Sequence, residues 1–201
     1  MLGFHGCDES VAREAVLLQS ALTPSQNKYD WLGTGIYFWE NSPERALEFA
    51  KLRKVRLEHS IGKRVEKPAV LGAIIDLGYC LNLLDHRYLQ MARESHRSLA
   101  EAAELAGIAL PKNVTPKGSK DLSLRNLDCA VINAIHEERR EHNLRPFDSV
   151  RAAFMEGAPL YANSGFCERN HIQICVCNID SIKGYFFPIG HPFAAAASHS
   201  L

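Results

Sequence analysis

The residues of this chain best suited to chemistry are aromatic. In "GIYFWE" strand alternation puts Tyr37 and Trp39 on one face and Ile36 and Phe38 on the other. Phe49 lies twelve residues beyond Tyr37, on the helix predicted by "NSPERALEFAK". Two aromatic faces so placed can sandwich a flat polar ring, each stacking contact adding about 0.5–1.5 kcal/mol beyond burial. Gly33 and Gly35 permit a close backbone approach. The same spacing also suits ordinary core packing.

Other groups are weaker candidates. Glu156 and Glu168 could each act as general base for an acceptor hydroxyl, or stand as solvated acids. Cys175 and Cys177 share a strand face with His171 and Gln173, without a matching His/Asp arrangement or metal-ligand spacing, so they read as small buried hydrophobes and no metal is expected. His136 and His142 lie six apart and do not face one another on a helix.

The elements that must position these residues follow from pattern. "MLGFHG" reads as a short strand, and Asp8 can cap a helix with apolar positions Val11, Ala15, Leu18 and Leu22. "TPSQNKYD" is a loop, and Ser42 with Pro43 opens the second helix. "AVLGAIIDLG" is strand-like; residues 86–145 read as mostly helical, interrupted at Pro111 and Pro116, with an apolar stripe of Leu127, Val131, Ala134 and Ile135. "SVRAAFME" and "HIQICVCNI" restore strands around a loop at 157–170. Strands at both ends with helices between predict an α+β domain on an antiparallel sheet.

Residues 1–190 are expected to form one domain, 86–145 its helical insertion and 191–201 a small-residue tail. Lys plus Arg and Asp plus Glu both total 23, so a polyanionic partner needs a local patch, such as Lys51, Arg53, Lys54, Arg56, Lys63, Arg64 and Lys67. The six cysteines contain no CxxC pair, and neither a signal peptide nor an apolar run of about 18 residues is seen. These features predict a soluble, cytoplasmic chain with no membrane partner.

His5-Gly6, then Gly33-Thr34-Gly35-Ile36-Tyr37-Phe38, then Ala46-Leu47-Glu48-Phe49 make an ordered set that resembles the ADP-ribosyltransferase superfamily of poly(ADP-ribose) polymerases and diphtheria-toxin-like enzymes. The resemblance covers residues 3–50 well and 148–188 loosely. It implies a split antiparallel sheet and NAD as co-substrate. By the resemblance, His5 would bind the adenosine ribose, the Gly6 backbone would read the nicotinamide amide, and Tyr37 with Phe49 would sandwich the nicotinamide, Gly33 and Gly35 admitting it. The loop "SQNKYDW", which carries Asp30, would border the pyrophosphate.

The family's late-strand Glu is here Gln173, a departure. A neutral amide can position the ribose but stabilises developing positive charge less well. Polymer elongation is therefore not expected. What the resemblance implies is transfer of a single ADP-ribose to a protein or nucleic-acid acceptor, with Glu168 in the acceptor-choosing loop, in the manner of a bacterial or phage toxin that an antitoxin or immunity protein neutralises. An NAD glycohydrolase or a non-catalytic NAD-binding module would share the same fold.

Overall fold

The computed structural model describes residues 1–18, 20–55 and 65–190. Arg56, Lys63 and Arg64 of the basic segment, and the 191–201 tail, lie outside the described residues. The strands are β1 (Leu2–Asp8), β2 (Ile36–Glu40), β3 (Pro68–Ile75), β4 (Cys80–Asn82), β5 (Asn113–Val114), β6 (Leu124–Arg125), β7 (Ser149–Phe154), β8 (His171–Val176) and β9 (Ile182–Phe186). The α-helices are α1 (Glu9–Leu18), α2 (Pro43–Val55), α3 (His86–Leu105) and α4 (Asn126–Glu141). The chain is thus mixed α+β.

Seven strands form one sheet in the order β4-β7-β8-β2-β1-β3-β9, and β5 with β6 forms a separate pair. All neighbours in the large sheet are antiparallel except β4 and β7. The pairings are uneven at the centre. β1 and β3 share seven register pairs and β2 and β8 share four, but β1 and β2 share only Gly3↔Glu40 and Phe4↔Trp39. Beyond Phe4 the two central strands part, and the sheet divides into a β9-β3-β1 block and a β2-β8-β7-β4 block joined at one end.

Both faces of the sheet are covered. On one, α1 contributes Ala12 and Ala15 to a cluster with Cys7, Ile36, Phe38, Leu71, Ile174 and Val176. On the other, α2 seats Ala46 against Phe4, Trp39 and Val70, while α3 and α4 bring Tyr88, Ile132 and Ile135 to Leu81, Val150, Phe154 and Cys175. Burying these apolar faces supplies the main driving force, about 25 cal/mol per Å² of apolar surface removed from water.

The alternation along "GIYFWE" holds, but Trp39 is as buried as Ile36 and Phe38, so neither face is an open lining. Leu18, expected on the buried stripe of α1, is exposed at 72% because the sheet contact is made by Ala12 and Ala15. Asp8 does cap this turn, accepting from Ser10 N (3.0 Å), and its other oxygen accepts from the Glu66 and Lys67 N–H groups. The expected strand at "AVLGAIIDLG" becomes β3, and Pro111 and Pro116 fall between α3 and α4. Strands β4, β5, β6 and β9 lack the alternation that marks a strand in sequence.

One glycine sets the height of α2 above the sheet. A Cβ on Gly6 would collide with the Ala46 carbonyl oxygen, a backbone atom that cannot rotate away. Gly184 in β9 has open space at the same position. We expect Gly6→Ala to lower the unfolding free energy by about 3 kcal/mol and Gly184→Ala to leave it nearly unchanged, measured by urea denaturation.

Candidate functional site

Where β1 and β2 part, two backbones are left facing one another. The Leu2 carbonyl accepts from Asn41 N at 3.2 Å, so alternation turns the N–H and C=O of Leu2, Phe4 and Gly6 toward β2. The ladder ends at Phe4↔Trp39, which leaves Gly6 opposite the gap. His5 spans it: its Nδ1–H donates to the Tyr37 carbonyl at 2.8 Å. That bond fixes the tautomer, with Nε2 as acceptor, and burial lowers the imidazole pKa so that the ring is neutral. His5 itself points to the α1 side, its ring 5.8 Å from that of Phe38.

Tyr37, Trp39, His171, Gln173 and Cys175 share the opposite face, because Trp39 pairs with Gln173 and Tyr37 with Cys175. The Tyr37 hydroxyl donates to Gly33 O (2.6 Å) and accepts from Leu32 N (2.9 Å), so this ring holds the loop in front of β2. Burial raises its pKa far out of the physiological range. Gly33 has φ +77°, a left-handed conformation suited to glycine, and Gly35 lies too close to Cys175 and Val176 for a side chain. Their demonstrated role is to seat the loop on β8 and α4.

Asp30 folds the same loop, accepting from Asn27 N at 2.9 Å; burial raises its pKa, with the hydrogen bonds to Ser25 and Asn27 opposing. Ser25 and Gly35 close the loop with two backbone hydrogen bonds of 2.8 and 3.1 Å. Phe49 reaches down from α2 onto Trp39, with ring centroids 5.0 Å apart, and the residue as a whole remains 39% exposed. Phe49 thus meets Trp39, the cross-strand partner of Gln173, rather than Tyr37 as the sandwich expects, and the Tyr37 ring packs in the α3–α4 cluster on the same face. Glu168 stands apart: it is exposed in the 157–170 loop, and its carboxylate accepts from Ala158 N at 3.2 Å.

Sequence reasoning missed a polar cluster beside Gln173. His171 is enclosed by the rings of Trp31 (6.1 Å), Trp39 (6.4 Å) and Phe154 (5.8 Å), and its Nδ1–H donates to Arg169 O at 2.8 Å. Glu156 lies 3.6 Å from the same nitrogen and pairs with Arg45 of α2 at 2.9 Å. Burial raises the Glu156 pKa against the pull of Arg45. Arg125 lies over Trp31 and Phe154, and Arg169 pairs with Asp121 at 2.6 Å. The signal was the strand parity of His171 with Gln173; nothing local tied Arg45 or Arg125 to it.

Although His171 is placed within ion-pair distance of Glu156, it is neutral: burial, then Arg45, Arg125 and Arg169, hold its pKa down to about 4. Its Nε2 has no hydrogen-bond partner, and neither do the buried Gln173 Oε1 and Trp39 Nε1. Three such atoms on one face are costly without a ligand, since each desolvated polar group costs about 1–3 kcal/mol. Two cavities flank the cluster. One of about 440 Å³ is bordered by Ser42, Phe154, Asn170 and His171; the other, about 420 Å³ and mainly apolar, lies between α3, α4 and β7. Neither has Gln173 in its wall; the orphaned atoms, rather than cavity size, define the candidate site.

Among the described residues no cluster of His, Cys, Asp and Glu is arranged to hold a metal ion, and no helix is long and apolar enough to cross a membrane. Comparison with protein-family models, curated proteins and solved structures gives no match.

Two outcomes are expected. Tyr37→Phe strands Leu32 N–H and Gly33 C=O, lowering stability by about 1–3 kcal/mol and increasing protease cutting in residues 25–35. The unfolded chain protonates His171 near its ordinary pKa of 6.5 and the folded chain only near 4, so its contribution is intact above pH 6.5 and lost as pH falls through that window. His171→Phe should flatten the corresponding loss, on the order of 3 kcal/mol, in denaturation curves taken across the window.

Proposed function

We propose that the chain is a mono-ADP-ribosyltransferase that uses NAD as donor and a macromolecule, protein or nucleic acid, as acceptor. The observation that carries this reading is the unpartnered Gln173 Oε1, buried on the strand next to the parting of β1 and β2. An acceptor atom held there suits a ribose hydroxyl. The ordered set of His5-Gly6, Gly33 to Phe38 and Phe49 suggests the same chemistry, and of these Gly6, Tyr37 and Phe49 belong to the elements that flank the parting.

The residues present fit NAD in kind. Gly6 turns backbone groups toward the gap, matching the donor and acceptor of a carboxamide, while Tyr37 and Phe49 stand on the strand and helix beside it. Trp39 Nε1–H is a free donor next to Gln173, and the loop carrying Asp30 closes the approach. Bound there, NAD supplies a glycosidic bond with nicotinamide as leaving group. Gln173 orients the ribose, the protein excludes water, and a carboxylate takes the acceptor proton. Glu156 touches His171, which shares a face of β8 with Gln173, and its raised pKa suits a proton acceptor.

The neutral Gln173 makes the proposed reaction slow, because no carboxylate on β8 offsets positive charge developing on the ribose. A toxin or effector with an antitoxin or immunity partner remains the setting that the resemblance suggests. With adenine-labelled NAD and cell lysate, intact protein should place label on protein or nucleic acid. Gln173→Ala should lower this at least tenfold, and Gln173→Glu should raise it. Label found only as free ADP-ribose would make the chain a glycohydrolase, and absence of both nicotinamide release and label would sink the proposal.

A further inference from the structure

Cys177 has a histidine partner that its sequence neighbourhood conceals. It follows β8 directly, with its N–H donated to Asp148 O at 2.9 Å. Helix α4 runs alongside and brings His136 Nε2 to 3.8 Å from Cys177 Sγ, the reach of a weak sulfur hydrogen bond. The His136 ring is wedged edge-on against Phe147, at 6.0 Å and 87°. Both residues are half-buried at the margin of the apolar cluster, whereas Cys175, two residues earlier, is fully enclosed. This is the spacing of a nucleophile beside a base.

We propose that Cys177 and His136 form a nucleophilic thiol–imidazole pair, a modification site for low-molecular-weight disulfides that is separate from the Gln173 site. His136 Nε2 takes the thiol proton, and the Cys177 sulfur attacks one sulfur of the disulfide. The S–S bond breaks, one half leaves as a thiolate that recovers the proton, and the other stays on Cys177 as a mixed disulfide. Cys177 is oxidised and the departing thiol reduced, so the small disulfide is the only oxidant required.

The groups around the sulfur favour this chemistry at Cys177 over Cys7, Cys80, Cys129 and Cys175. The neighbouring Cys175 thiol on β8 and then His136 on α4 lower its pKa to about 6 against the effect of burial, and the Cys175 carbonyl, 3.9 Å from Cys177 Sγ, is a second acceptor for its proton. Asp148, ahead of β7, acts weakly in the other direction, its carboxylate being shared among Tyr79 N, Asn178 and Arg145. Cys80 on β4 is a further titratable neighbour, and burial raises its pKa. Burial also raises the Cys129 and Cys175 thiols and pushes Cys7 up to about 12.

The test is brief alkylation of the full chain with limiting iodoacetamide over a pH series, read by peptide mass spectrometry at all six cysteines. Cys177 should label first at neutral pH and keep its rate down to about pH 6, and His136→Asn should slow it about tenfold at neutral pH. Oxidised glutathione should then give an adduct that Cys177→Ser lacks. Circular dichroism establishes that each variant is folded, with His136→Gln replacing an unfolded Asn variant. Faster labelling of another cysteine, an unchanged rate in the folded His136 variant, or no glutathione adduct at Cys177 would overturn the proposal.

Discussion

The carbonyl oxygen of Ala46 occupies the place where a side chain at residue 6 would stand, and much of the architecture follows from that contact. Helix α2 can lie low on the sheet only because β1 offers it bare backbone. From that height Phe49 reaches Trp39 and Arg45 reaches Glu156. A helix lifted by one methyl group would loosen both contacts, and with them the enclosure of His171. The packing of one helix on one glycine thus sets the geometry of polar groups on β7 and β8, strands that lie more than a hundred residues later in the chain.

Those polar groups are balanced unevenly. Arg151 satisfies Glu40 with two bonds of 2.6 and 3.0 Å, and Arg45, Glu156, Arg169 and Asp121 are paired in the same half-buried layer. Within this layer the Nε atoms of Arg45, Arg125 and Arg169 are themselves without a partner, and beside them three neighbouring atoms on β2 and β8 have none either. Apart from Tyr185 Oη, the unpartnered buried side-chain atoms of the described residues therefore gather around His171. That clustering makes the Trp39–Gln173 strip a candidate site, and burial, aided by the arginines around His171, holds its imidazole in the neutral form.

Much of the first fifty residues was legible in sequence because local signals agreed there: alternation from Ile36 to Trp39, Pro43 at a helix start and glycines at positions with no room for a side chain. The central pairing of β2 with β8 was not, since register between strands far apart in sequence is a matter of tertiary packing. The parallel strand β4 is three residues long and β9 carries Gly184 at its centre, so neither shows a periodic pattern. Tyr37 and Gln173 were picked out by type and order; His171, Arg45 and Arg125 come together only through folding. Sequence spacing relates His136 only to His142 on its own helix, whereas its neighbour in the fold is Cys177 on another element.

The uneven pairing at the sheet's centre has a consequence for the order of assembly. β1, β2 and β3 all belong to the first seventy-five residues and can pair early, but β2 gains its second neighbour only when β8, ending at Val176, is available. Until then the edge of β2 exposes the aromatic strip as an unpaired strand. Such long-range closure is slow, because the entropy of a large loop must be lost before the contacts form. On the ribosome the face bearing Trp39 would therefore wait without Gln173 through most of synthesis, and the candidate site would come into being as one of the last events of folding.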